Sequence, residues 1–153
     1  MAVGTASPVE VLAESKTVAV VGASRSPDKE AHSVPLYLKG KGYLIIPVNP
    51  SASEVFGEKS YPSLLDIPDR LARTIDIVEV FRPSEELPKV ARQVVELKRR
   101  TKRAVTFWAQ QGLENDEAKR ILENGGVRYV MDACMRTVHQ VYVRKTASAS
   151  RRA

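Results

Sequence analysis

The chain has one cysteine, Cys134, in 153 residues. No disulfide can close within it, which fits a reducing compartment such as the cytoplasm. Histidine is nearly as scarce, with only His32 and His139. One thiol and two imidazoles fall short of a structural zinc set, so no metal site is expected. Long apolar runs are missing. None approaches the ~18 residues that cross a bilayer, so no membrane attachment is expected. The opening MAVGTASPVEVLAES lacks both a basic start and an apolar stretch, so it does not read as a signal peptide. No G-x-x-x-x-G-K-[ST] occurs anywhere, which excludes a P-loop for nucleoside triphosphates. Aromatic residues are absent from the basic cluster Lys98, Arg99, Arg100, Lys102 and Arg103. Without interleaved rings that cluster reads as a solvated helix end rather than a nucleic-acid patch.

What is present is ordinary in proportion and specific in order. Hydrophobic residues make up 43% and charged residues 27%, enough for one domain with a respectable core. Net charge is +6, with 24 Lys and Arg against 18 Asp and Glu, a balance that suits an anionic small ligand. Residues 15–145 read as one domain. Residues 1–14 form a leading segment with a short helix over 8–14, and the small, basic 146–153 reads as a frayed tail.

Strands and helices alternate through the middle. Strands are expected at 17–21, 43–48, 75–81, 104–108 and 127–131. Helices are expected at 32–39, at 84–98 with Ser84 as N-cap, and from Asn115 to the Gly125-Gly126 stop. Pro47 falls near the end of the second strand, where a missing N–H matters least. Pro35 falls inside the first of these helices and is expected to shift the loop before it slightly. This alternation defines an α/β fold, a Rossmann-like three-layer domain with a parallel sheet of about five strands. In such sheets, ligands bind at the carboxyl ends of the strands.

The first strand end is the most informative. Thr17 to Val21 is an unbroken buried-strand pattern, and Gly22 ends it where the backbone must turn. A strand, a glycine turn and a helix make an anion cradle, so a phosphate-bearing ligand is expected. A nicotinamide dinucleotide would need G-x-G-x-x-G and an acid after strand two. Here the loop reads Gly22-Ala23-Ser24-Arg25-Ser26-Pro27 and strand two ends in Asn49-Pro50. Both specific parts are lost. A flavin mononucleotide is allowed by the fold and favoured by no residue.

Several stretches stand in order with consistent spacing: VAVVGASRSPDK, GYLIIPVNP, GEKSYPSLLDIP, IDIVEVFRPSEELP, the W-x-Q-x-G of Trp108, Gln110 and Gly112, and MDACMRTVH. Together they resemble the small stand-alone coenzyme A-binding proteins, whose domain is similar to that of succinyl-CoA synthetase and of ADP-forming acyl-CoA synthetases. The resemblance covers about residues 16–142. It implies binding of coenzyme A, free or acylated, with no catalytic residue in this chain, since 153 residues leave no room for the synthetases' other machinery.

The residues fit that implication. Gly22, Ala23, Ser24 and Ser26 can offer amides and hydroxyls to a pyrophosphate, and Arg25 and Lys29 can reach phosphate oxygens. Ordinary loop charge and helix capping would account for the same residues. Pro47, Val48, Asn49 and Pro50 are expected under the adenosine. Phe81 and Arg82 close the third strand end, and Gln110 and Cys134 the fourth and fifth. A mixed disulfide between Cys134 and the coenzyme is a further expectation. The chain would present the ligand to a protein partner or report acyl-CoA levels, and a homo-oligomer is also expected. A NAD(P)-dependent oxidoreductase or redox-sensing regulator on the same fold is the competing reading.

Overall fold

The computed structural model describes residues 5–142. Five strands form one parallel sheet: β1 (Thr17–Val21), β2 (Leu44–Val48), β5 (Ile77–Val80), β6 (Thr106–Ala109) and β7 (Arg128–Val130), in the order β2-β1-β5-β6-β7. A two-stranded hairpin, β3 (Glu54–Val55) with β4 (Glu58–Lys59), stands apart. The expected α/β fold is therefore the observed one. The order reverses between β1 and β5, so the crevice at their carboxyl ends is the switch point.

Strand β1 sits inside the sheet and is buried along its whole length. Its side chains serve two cores, as a doubly covered strand must. Ala19 and Val21 join the face covered by α3 (Asp69–Ala72), α4 (Leu87–Thr101) and α5 (Asp116–Asn124). Val18 and Val20 join the face covered by α1 (Pro8–Glu14), α2 (Glu30–Gly40) and a helical segment, α6, over 135–142.

Pro47 lies within β2 near its end, as expected, paired with Val20. β2 is an edge strand. The Pro47 carbonyl points outward and accepts from the Tyr61 amide at 3.1 Å. Its missing N–H faces the same outer side, so the ladder to β1 is intact.

One local expectation is corrected, and two elements lie outside the expected ones. Ser84 does not cap α4: Ser84–Glu86 is a 3-10 turn, and the Ser84 hydroxyl accepts from the Glu114 amide at 3.2 Å. The hairpin turn places Phe56 at φ 60° and Gly57 at φ 74°. Such turns usually announce themselves with Asn or Asp at the first position, so Phe56 hid this one. The segment 135–142 has apolar or aromatic residues at helical spacing, Met135, Val138, His139 and Tyr142. It lacks a Ser, Asp or Asn cap, and Cys134 takes that place, its carbonyl accepting from the Val138 amide at 3.0 Å. The tail at 146–153 lies outside the described residues.

The basic end of α4 is tied into the fold. Arg100 donates to the Leu65 and Ile67 carbonyls, each at 3.0 Å. Lys98 donates to the Gly126 carbonyl at 2.6 Å, and Arg103 pairs with Asp76 at 3.1 Å. These cations cross-link loops beneath the sheet. No described helix is long and apolar enough to cross a membrane.

Candidate functional site

The carboxyl ends of β2, β1 and β5 enclose a groove of about 550 Å³. Its floor depends on Gly22, at φ 87°. A Cβ there would stand 2.5 Å from the Phe81 carbonyl oxygen, so glycine alone allows the two strand ends to approach. The Gly22 amide donates to the Val48 carbonyl at 3.1 Å, and the Phe81 amide to the Val21 carbonyl at 2.9 Å. The three strand ends are thus sewn together under the groove.

The loop above is held as tightly. Ser24 donates its amide to the Ala31 carbonyl at 3.1 Å, and Ser26 donates to the Ser24 hydroxyl oxygen at 3.0 Å. Asn49 donates its side-chain amide to the Ala23 carbonyl at 2.8 Å and accepts from the Ser51 amide at 2.7 Å. Asn49 therefore clamps the loop after β2 to the loop after β1. The Ala23 amide has no partner among the described residues, and the Ser24 hydroxyl keeps its hydrogen. With the Arg25 amide, which likewise has no partner among the described residues, these are uncommitted donors of the turn. The amides of Gly22 and Ser24, expected to face a ligand, are spent inside the protein.

Lys29, Arg82 and Lys89 bring positive charge to the groove, against one acid, Glu86. Arg82 is not free: its guanidinium holds both Glu86 carboxylate oxygens, at 2.8 and 3.2 Å. Lys29 and Lys89 form no ion pair with any described residue. Lys89 escaped the sequence reading. Its signal was its place in the first turn of a helix that starts at a strand's carboxyl end.

Gly22, Ala23, Ser24, Lys29, Val48, Asn49, Pro50, Phe81 and Arg82 all line this groove. Pro47, Arg25, Ser26, Gln110 and Cys134 do not. Pro47 is buried within β2, and Arg25 lines a separate, smaller cavity. Gln110 and Cys134 belong to the opposite side of the sheet. The Gln110 side-chain oxygen Oε1 accepts from the Met135 amide at 3.4 Å, and Cys134 packs in the core with Trp108 and Met135. Trp108 is core, as its size suggests, with its indole donating to the Ala133 carbonyl at 2.9 Å.

Glu79 shares that core. It is fully buried on β5, and neither carboxylate oxygen has a hydrogen-bond partner. Burial pushes its carboxyl well above the ordinary value, and the nearby Cys134 adds to the rise. Burial would also raise the Cys134 thiol, but hydrogen bonds from Thr137, Gln110 and the Arg136 backbone bring it below its ordinary value.

Fold and groove together define a Rossmann-like α/β module with a cationic crevice at its switch point. The chain belongs to the CoA binding domain family, which it matches over residues 16–140. It is 45% identical over 132 residues to the uncharacterized protein YneT of Bacillus subtilis, covering 86% of this chain and 91% of that one. It is 40% identical over 77 residues to an ADP-forming acetate–CoA ligase of Archaeoglobus fulgidus, where the match spans 49% of this chain and 11% of the ligase. Among solved structures, a Thermus thermophilus protein superposes with a TM-score of 0.76 at 34% identity, covering 87% of this chain and 94% of the other. A hypothetical protein of Pyrococcus horikoshii gives 0.74 at 35% identity, with 89% of each chain covered.

Proposed function

We propose that this chain binds coenzyme A or its acyl derivatives in the β1/β5 groove and has no catalytic centre of its own. One observation carries the reading: in a chain of the CoA binding domain family, Lys29 and Lys89 stand unpaired over a strand junction that only Gly22 allows. An oxygen-rich anion placed there meets two lysines, the Ala23 amide and the Ser24 hydroxyl. Such a site favours a pyrophosphate through charge-assisted hydrogen bonds.

The nicotinamide alternative finds less support. A dinucleotide site uses a carboxylate after the second strand to accept from the ribose. Here position 49 is an asparagine, and its amide is engaged by Ala23 and Ser51. Calorimetric titration of the protein with coenzyme A, acetyl-CoA and NADH tests the reading. Saturable binding of the coenzymes, weakened in Lys29→Ala and Lys89→Ala, is expected. Binding of NADH alone, or coenzyme binding that ignores both lysines, would sink it.

A further inference from the structure

A second cavity, of about 240 Å³, lies on the other side of the loop that roofs the groove, lined by Arg25, His32, Ser53, Glu54, Val55 and Phe56. The wall between the two is one loop thick: Ser24, Lys29 and Ala31 line the groove, whereas Arg25 and His32 line this cavity. His32 stiffens the wall. Its Nδ1 lies 2.7 Å from the Ser24 carbonyl oxygen, which can only accept, so Nδ1 carries the hydrogen. Its ring packs on Phe56, with centroids 5.1 Å apart.

Phe56 is held there at a cost. A bulky residue at φ 60° is in a sparsely populated backbone region. Lys39 secures the turn by donating to the Phe56 carbonyl and pairing with Glu58 at 3.2 Å. The cavity therefore has a fixed aromatic side, a hydroxyl at Ser53 and a cation at Arg25. Arg25 makes no hydrogen bond or ion pair with any described residue.

We propose that this cavity is a second anion subsite, in which Arg25 takes the phosphate monoester on the ribose of coenzyme A while the groove takes the pyrophosphate. The proposal rests on the coenzyme reading above and deepens it. The ligand has two separate phosphate centres, and the loop has unpaired cations on both sides, Lys29 toward the groove and Arg25 toward the cavity. A monoester carries close to two charges at neutral pH, more than one phosphate of a diester, so it gains most from a guanidinium. Glu54 opposes it. Its carboxylate stands in the same cavity, exposed, and weakens the field that Arg25 makes.

Coenzyme A and its 3′-dephospho form separate the two sites. Calorimetry with both ligands should show the wild-type protein preferring coenzyme A. Arg25→Ala should lose about tenfold for coenzyme A and little for the dephospho form, the size of one solvated charge-assisted contact. Lys29→Ala should weaken both ligands alike. Glu54→Gln should tighten coenzyme A more than the dephospho form. Equal affinities in the wild type, or an Arg25→Ala loss that is the same for both ligands or absent for both, would overturn the subsite and leave the groove standing. Failure of the wild type to bind either ligand would remove both readings together. Arg25 and Glu54 are exposed, so neither variant threatens the fold.

Discussion

Ser24 donates its amide to the carbonyl that Pro35 leaves unclaimed. In an uninterrupted α-helix, the amide of residue 35 would bond the carbonyl of Ala31. Proline has no amide, and the Ala31 carbonyl accepts from Ser24 at 3.1 Å instead. A residue that normally breaks helices thus anchors the phosphate loop to one. Pro35→Ala restores a competing donor. Removing a proline from a helix interior ordinarily gains about 3 kcal/mol. Here part of the lost bond is already replaced, so the gain measured by thermal melting should be smaller, while coenzyme affinity falls as the loop loosens.

Gly22→Ala meets the Phe81 carbonyl and a left-handed backbone at once. The left-handed conformation alone costs an L residue roughly 1–2 kcal/mol. Adding the clash, we expect a loss of at least about 2 kcal/mol, or several degrees in Tm for a domain of this size. Coenzyme binding, read by calorimetry, should disappear. Unchanged affinity would show that the strand junction is not part of the site.

Glu86→Gln should act in the opposite direction. The pair with Glu86 offsets the Arg82 charge at the groove rim. An exposed pair of this kind contributes only about 0–1 kcal/mol to stability, so the fold should barely notice its loss. The released guanidinium should tighten coenzyme A severalfold at low salt, with the gain shrinking as salt screens it. Titrations at two ionic strengths read both effects.

Asn49→Asp places a carboxylate beside the groove and removes the donor to Ala23. Two oxygens then face each other, and the clamp between the loops opens. Coenzyme affinity should fall by tenfold or more, since a lost donor and a new like charge act together. NADH should not gain in compensation, because the glycines of a dinucleotide loop are still absent. Tight NADH binding by this variant would contradict that account.

Glu79 sets a pH dependence whose sign is fixed. Burial raises its folded-state value above the ordinary value of about 4.5. The native state therefore holds a proton that the unfolded chain releases. Stability is fully present below about pH 4.5 and declines as pH rises toward the folded value, by about 1.4 kcal/mol per unit for this one group. Glu79→Gln removes that slope. Denaturant melts should show little difference between variant and wild type at pH 4 and an advantage for the variant that grows as pH rises above about 4.5.

The sheet was legible because its inner strands are apolar runs, such as Val18 to Val21, ended by glycine or proline. Most of the groove followed, since the strand-end rule needs only the strand positions. What escaped depends on side chains that meet across the fold. Gln110 and Cys134 follow strands of the same sheet, but their side chains fall on the α6 face, and the helix after Cys134 has no conventional cap to betray it. Arg82 reads as a free cation until Glu86 is seen one helical turn away. Lys89 reads as an ordinary surface lysine until the entry of α4 points it at the groove.

Each margin of the sheet is stoppered at one point. Along β2, Tyr61 occupies the outward-facing rung and Pro47 offers no N–H to a newcomer. Along β7, Ala6 donates to the Tyr129 carbonyl at 2.8 Å and closes the opposite side. A foreign strand therefore finds no free rung at these positions, which protects against edge-to-edge aggregation. A strand that approaches either margin therefore meets the chain's own backbone at these rungs first.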